Sequence, residues 1–147
     1  PGLRTSDSLE ALLNDPGLDA VVIATPSQTH YALASQALAA GKHVYVEKPV
    51  ATRLNDAEAL FEQAERCERV LMVGHLLLYH PALNRLKQLI DSGELGRIRY
   101  VQSDRLNYNR FRSDRNALWD LAPHDLSVLF YLLDGEPEAI EAAAGFC

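Results

Sequence analysis

Glu47, Lys48 and Pro49 come directly after a short apolar stretch, His43 to Val46, that is rich in strand-forming residues. Proline ends a strand and fixes the backbone beside the lysine. A carboxylate and an ammonium group are therefore expected at the carboxyl end of a parallel strand, the edge of an open α/β sheet where ligands bind. A solvated surface charge pair accounts for these three residues equally well, so the rest of the chain must decide between the two interpretations.

Asp120 and His124 form a second group with chemical capability, four residues apart in a predicted helix. This spacing puts both side chains on one helix face, where the carboxylate can reach the imidazole. An imidazole titrates near neutral pH and can act as a general base. From these residues alone, a structural histidine bonded to nearby backbone is the favoured interpretation. For Trp119, the only tryptophan, packing in a hydrophobic core is slightly favoured over a position in the wall of a substrate pocket.

Three arginines, Arg110, Arg112 and Arg115, lie in a polar loop from Asn107 to Asn116, just before the Asp120 and His124 pair. They are either solvated loop charges or a grip on an anionic substrate group, because a guanidinium fork suits phosphate. The five histidines also raise the question of a metal site, with His75 and His80 beside His124 and Asp125. No HxxxH or CxxC pairing supports such a site, so no metal is predicted, and a local ion pair or cap is expected for Asp125.

Composition narrows the class of protein. The chain has 147 residues, 48% of them hydrophobic, and a formal net charge of −6, which does not favour a nucleic-acid partner. Two cysteines, Cys67 and Cys147, are too few for a disulfide framework and fit a reducing cytosol. No leader and no apolar run of membrane-spanning length is present, so a soluble cytoplasmic protein without a membrane partner is expected.

Helices and strands alternate in the first half, which predicts parallel strands in a doubly wound α/β sheet covered on both faces. The predicted elements are a helix from Ser6 to Asn14 capped by Ser6 or Asp7, a strand from Asp19 to Ala24, a helix from His30 to Ala40 capped by Ser27 or Thr29, a strand from His43 to Val46, a helix from Asp56 to Cys67 capped by Thr52 or Asn55, and a strand from Val70 to Val73.

The pattern changes after His75. The predicted elements there are a helix from Pro81 to Ile90, a strand from Arg97 to Leu106, a helix from Leu118 to Leu133 with Pro123 confined to its first turn, and a weaker strand from Glu138 to Phe146.

Five motifs occur in order along the chain: ATPSQTH (Ala24 to His30), AGKHVYVEKP (Ala40 to Pro49), VGH (Val73 to His75), GELGRIRYV (Gly93 to Val101) and WDLAPHDL (Trp119 to Leu126). Together they resemble the Gfo/Idh/MocA family of NAD(P)-dependent oxidoreductases, which act mostly on sugars, cyclitols and nucleotide sugars. The resemblance implies that residues 1–75 are the later part of a Rossmann domain. It implies that residues 76–147 begin an α+β domain with an open antiparallel sheet.

The resemblance also implies site residues. Catalytic roles fall on three: Lys48 as the cation beside the reacting hydroxyl, His124 as the proton acceptor and Asp120 as its companion. Cofactor-binding positions are Thr25, Pro26, His30, Glu47, Lys48 and Pro49, with the peptide bond before Pro49 often cis. Substrate-binding positions are Asn107, Arg110, Arg112 and Trp119. The arginine loop and WDLAPHDL are most similar to members that act on nucleotide sugars such as UDP-N-acetylglucosamine.

The family's G-x-G-x-x-G phosphate loop does not occur in these residues, nor does the acidic residue that reads the adenosine ribose. The chain is therefore expected to be a fragment, unable to bind NAD well or to turn over by itself. NAD and NADP are not distinguished. A homo-oligomer is expected at full length. Two alternatives stay open: a redox-neutral enzyme that retains NAD to cleave glycosides, and a non-catalytic ligand-binding module.

Overall fold

The computed structural model describes residues 5–105 and 117–143. The chain divides into two compact units, Pro1–His75 and Leu76–Cys147, and each is described here by itself. No helix within these described residues is long and apolar enough to cross a membrane.

The first unit is a parallel three-stranded sheet with helices between the strands. Its elements are α1 (Leu9–Leu13), β1 (Ala20–Ile23), a 3-10 turn (Ser27–Thr29), α2 (His30–Ala39), β2 (His43–Val46), α3 (Leu54–Arg66) and β3 (Leu71–Val73). The strand order is β1-β2-β3, with Val44 paired to Val21 on one side and to Leu71 on the other. The predicted α/β alternation and Rossmann-type parallel sheet are thereby confirmed.

The core of this unit lies between the sheet and helices α2 and α3, which contact each other. Leu38 and Leu60 are fully buried there, against Val44 and Val46 of the central strand. The prediction that both faces of the sheet are covered is wrong for the described residues, because Val22 in β1 is 73% exposed. Burial alternates along β1. The continuous apolar sequence of this strand therefore does not mean that both of its sides are covered.

The helix caps differ from those predicted. Ser8, not Ser6 or Asp7, caps α1 by accepting the amide of Ala11 at 3.1 Å. Thr29 stands before α2, but its hydroxyl donates to the Pro26 carbonyl at 2.7 Å instead of capping the helix, and Ser27 is buried in the 3-10 turn. The Thr29 hydroxyl is therefore engaged in a local turn and does not cap the helix.

Neither predicted cap serves α3, because the helix starts at Leu54 after Arg53. Asn55 therefore lies inside the first turn and Thr52 lies before the cap. Asp56 in that first turn supplies a favourable charge for the helix amino terminus.

The second unit holds a 3-10 turn (Leu76–Tyr79), α4 (Pro81–Asp91) and α5 (Ala117–Leu133), which contact one another. His80 caps α4, accepting the amide of Ala82. The hydroxyl of Tyr131 donates to Asn84 at 3.1 Å and links α5 to α4.

Two strand predictions in this unit are wrong for the residues described. Residues 97–105 form no strand, and neither do residues 138–143; residues 106 and 144–146 lie outside the described ranges. A strand needs a hydrogen-bonded neighbour, and no described strand pairs with either segment. Tyr100 is 78% exposed, so the alternating apolar pattern does not place this side chain on a buried face.

Pro123 lies inside α5, not in its first turn, because the helix starts at Ala117. Proline has no N–H to give the carbonyl four residues earlier, yet the helix continues through it. The helix that contains it contacts α4 and the 3-10 turn.

Candidate functional site

Backbone hydrogen bonds extend the sheet beyond its strands at the carboxyl edge. The amide of Glu47 donates to the Ile23 carbonyl at 2.9 Å, and the amide of Gly74 donates to the Val46 carbonyl at 2.8 Å. Glu47 is thus anchored to β1, and the half-buried Lys48 and Pro49 follow it directly. The Lys48–Pro49 peptide bond is cis, as the resemblance implies.

The turn after β1 reaches the same edge of the sheet. Thr25 and Pro26 are exposed there. Thr29 holds the turn closed: its amide and hydroxyl both donate to the Pro26 carbonyl, and its hydroxyl lies 2.7 Å from that of Thr25. Exposed backbone and hydroxyls beside a carboxylate at the carboxyl ends of parallel strands suit a nucleotide.

His30 is buried to 1% exposure at the start of α2. Its Nδ1 lies 2.7 Å from the carbonyl oxygen of Pro49, and its Nε2 lies 2.8 Å from that of Thr25. Both ring nitrogens are therefore turned to main chain. Of the cofactor-binding residues predicted from the sequence, this one is enclosed, whereas the others are exposed or half-buried.

Tyr45 and Glu47 crowd Gly74, an arrangement that sequence reasoning did not find. A Cβ on Gly74 would lie 2.7 Å from the Tyr45 hydroxyl and 3.3 Å from the Glu47 carboxyl carbon. Gly74 therefore leaves the space in which these two side chains pack. In the sequence, the only sign of this close packing is that a glycine follows β3. Tyr45 is marked there only as a strand-forming residue.

His75 ends the first unit. Burial lowers the pKa of this imidazole, because a charged ring would lose its solvation. Its Nδ1 is buried and has no hydrogen-bond partner among residues 5–105 and 117–143.

Trp119, Asp120 and His124 lie on α5 in the second unit. Asp120 and His124 are one helical turn apart, as their spacing predicts. Trp119 is 47% exposed, so the prediction that it packs in a core is wrong.

Asp125, next to His124, accepts hydrogen bonds from Ser103 at 2.8 Å and Arg105 at 2.7 Å. Asp125 does form an ion pair, as predicted, but its partner Arg105 lies twenty residues earlier and is not a local one. Desolvation raises the pKa of the Asp125 carboxyl, but these bonds and the nearby Arg105 and His124 hold the pKa below its ordinary value.

The remaining predicted substrate residues, Asn107, Arg110 and Arg112, lie outside the described residues, as does Arg115. No group of three or more His, Cys, Asp or Glu side chains suited to a metal ion occurs in the described part of the chain.

A parallel α/β sheet with polar residues gathered at its carboxyl edge defines a nucleotide-binding domain of the Rossmann type. Residues 1–75 match the model of an oxidoreductase family with an NAD-binding Rossmann fold, and residues 83–146 match the model of the GFO/IDH/MocA C-terminal domain. The chain belongs to the Gfo/Idh/MocA family. The family's NAD-binding description supports the expected cofactor, NAD or NADP.

Two curated relatives and one solved structure illustrate the similarity. UDP-N-acetylglucosamine 3-dehydrogenase from Acidithiobacillus ferrooxidans is 37% identical over 95% of this chain and 43% of its own length. A 1-carboxy-3-chloro-3,4-dihydroxycyclohexa-1,5-diene dehydrogenase from Comamonas testosteroni is 34% identical over 99% of this chain and 39% of its own.

The solved structure is an NAD-binding oxidoreductase from Klebsiella pneumoniae. It is 32% identical, with a TM-score of 0.73, and the match covers 88% of this chain and 38% of that one. The chain thus spans about two fifths of the length of the curated relatives described here.

Proposed function

We propose that the full-length protein carrying this chain transfers a hydride between a secondary hydroxyl of a sugar or nucleotide sugar and NAD or NADP. The observation that carries the proposal is the anchoring of Glu47-Lys48-Pro49 at the carboxyl edge of the sheet, where Glu47 continues the ladder from β2 to β1. In this proposal, residues 1–75 belong to the dinucleotide-binding domain and residues 76–147 begin the substrate domain.

The residues at that edge fit the cofactor. Thr25 and Pro26 are exposed there, Thr25 carries a hydroxyl, and the Glu47 carboxylate can accept bonds from ribose hydroxyls. When bound, the nicotinamide supplies a hydride acceptor.

The chain's own residues handle the hydroxyl. His124 takes the hydroxyl proton as general base, since imidazole chemistry suits neutral pH. Lys48 stabilises the negative charge that develops on the substrate, a pre-placed cation that is worth several kcal/mol by order of magnitude. Asp120, one turn before His124, orients the imidazole or contacts a second hydroxyl of the substrate.

Two observations support a ring-hydroxyl substrate. Both dehydrogenases described above are named for substrates with hydroxyls on a six-membered ring, and one of these is a nucleotide sugar. The arginines Arg110 and Arg112 would then contact its phosphates, because a guanidinium binds phosphate in a bidentate manner.

The test uses the full-length protein with Lys48→Met and His124→Asn variants. Each is expected to lower kcat by roughly 10²- to 10³-fold for a nucleotide sugar, while the Kd for NAD of the His124→Asn variant changes little. Arg66→Met is the matched control, because it removes an exposed cation at the carboxyl end of α3, away from Lys48 in sequence. If both variants retain wild-type kcat, the assigned roles are wrong.

The same preparation separates the alternatives. A dehydrogenase consumes added NAD in proportion to product. A redox-neutral enzyme keeps its NAD through gel filtration and consumes none. A binding module takes up the sugar without turnover.

A further inference from the structure

We infer that His30 is a positioning residue for Lys48: its buried ring lies within hydrogen-bonding distance of the carbonyls of Pro49 and Thr25 and thereby holds the lysine backbone in place. The inference rests on the catalytic role proposed for Lys48. It assigns to His30 a task within the protein, in place of direct contact with the cofactor.

The backbone around Lys48 is anchored on both sides. Before it, the amide of Glu47 donates to the Ile23 carbonyl at 2.9 Å. After it, the carbonyl of Pro49 lies 2.7 Å from Nδ1 of His30. Only the lysine separates the two anchored residues. The first anchor belongs to the sheet, whereas the second depends on one side chain.

The ring is itself fixed to the core. His30 is the first residue of α2, and its helix buries Ala34, Ala37 and Leu38 almost completely. On its other side, Nε2 lies 2.8 Å from the carbonyl of Thr25, at the start of the turn that follows β1. His30 therefore joins the loops that follow β1 and β2, the two neighbouring strands at the proposed cofactor edge.

An imidazole suits this position because its two nitrogens point to opposite sides of one rigid ring. Carbonyl oxygens only accept hydrogen bonds, so the neutral ring donates to one of them and the doubly protonated ring to both. A glutamine amide carries its donors on a single nitrogen, so it can retain one of the two links. Phenylalanine fills the space and retains neither.

A buried residue with a purely structural role would contribute only stability. Lys42 provides the comparison, because it is also buried, at 7% exposure, and its Nζ donates to the Asp15 carbonyl at 2.8 Å. Lys42 precedes β2, so it lies at the amino edge of the sheet. Losing Lys42 removes a buried side-chain bond to a carbonyl without disturbing the carboxyl edge.

The experiment compares His30→Phe, His30→Gln, Lys42→Met and Lys48→Met in the full-length protein. We expect His30→Phe to lower kcat by roughly 10- to 100-fold with a smaller change in KM, since misplacing a catalytic group by about 1 Å can cost 10²-fold. His30→Gln should recover part of that loss. Lys42→Met should lower Tm about as much as His30→Phe does. Its kcat, measured well below Tm, should stay near the wild-type value.

Amide hydrogen exchange gives a readout without substrate. In His30→Phe, and to a lesser degree in His30→Gln, exchange in residues 47–51 should accelerate at least tenfold relative to Lys42→Met. If His30→Phe does not fold, His30→Gln decides by the same two measurements.

Equal kcat and equal exchange in the His30 and Lys42 variants would overturn the inference. An unchanged kcat in Lys48→Met would overturn the proposed function instead, and the exchange data would still decide whether His30 holds this segment.

Discussion

Gly74→Ala tests how tightly the carboxyl edge is packed. The added methyl would lie 2.7 Å from the Tyr45 hydroxyl, where ordinary contacts begin at 3.4 Å. The Tyr45 ring carbon is also close, at 3.2 Å, so the ring as a whole must move. Overpacking of this kind typically costs about 1–3 kcal/mol. Gly74 is not among the described glycines with positive φ, so this cost is steric and does not arise from backbone strain.

A double-mutant cycle isolates the steric cost. Tyr45→Phe removes the hydroxyl that the methyl would strike and leaves the contacts to the ring carbon at 3.2 Å and to the Glu47 carboxyl carbon at 3.3 Å. We expect Gly74→Ala to cost about 1–2 kcal/mol less in the Tyr45→Phe background, a coupling in the range seen for residues in contact. Urea unfolding of the four full-length proteins at constant m value measures it.

Gly41→Ala is the control in the same unit. Gly41 has φ 73°, and the nearest atoms to its Cβ position are 3.7 Å away, on Arg69. Its substitution should cost about 1–2 kcal/mol of conformational strain, equally in the wild-type and Tyr45→Phe backgrounds. If Gly74→Ala costs the same in both backgrounds as well, Tyr45 does not limit the space at Gly74 and the packing argument fails.

Two pH-dependent effects follow from shifted pKa values. Burial lowers the pKa of His75, so the unfolded chain binds the proton more readily, and stability should fall as pH drops through about 6.5. His75→Gln should reduce this fall in Tm, and identical Tm profiles for wild type and His75→Gln would contradict it. The pKa of Asp125 is lowered, so its contribution is present above about 3.9 and is lost as pH falls further. Asp125→Asn and Arg105→Gln should each flatten the Tm profile between pH 5 and 3, and an unchanged slope in both would show that the ion pair is not coupled to folding.

Much of the first unit could be predicted because its hydrophobic pattern is local. The strand β2 has the predicted bounds, His43–Val46, since an apolar run lies between Gly41 and Pro49. Helix α2 differs by one residue from its predicted end, as does α4 in the second unit. The carboxyl edge was also inferable, because polar residues directly after parallel strands must gather there.

Features that depend on distant partners could not be predicted. Residues 97–105 alternate like a strand, but alternation does not supply a hydrogen-bonding neighbour. The intrinsic preference of proline predicts a first-turn position for Pro123, but the helix extends to Ala117 and Pro123 lies inside it. The cap predictions failed for a related reason, since several hydroxyls compete for each helix start and turn geometry selects among them.

Within the motif at the candidate site, too, some features can be predicted from the sequence and others depend on distant partners. Lys48 and Glu47 are recognisable because their charges follow a strand, whereas the main-chain bond of Glu47 and the contact of His30 with Pro49 leave no such mark in the sequence. The carbonyl of Pro49 meets a ring nineteen residues away in sequence, and Gly74 meets Tyr45 on the neighbouring strand. A substitution at His30, Tyr45 or Gly74 would leave every charged group of the motif in the sequence. We therefore expect the placement of the lysine to depend most strongly on residues with no part in proton or hydride transfer.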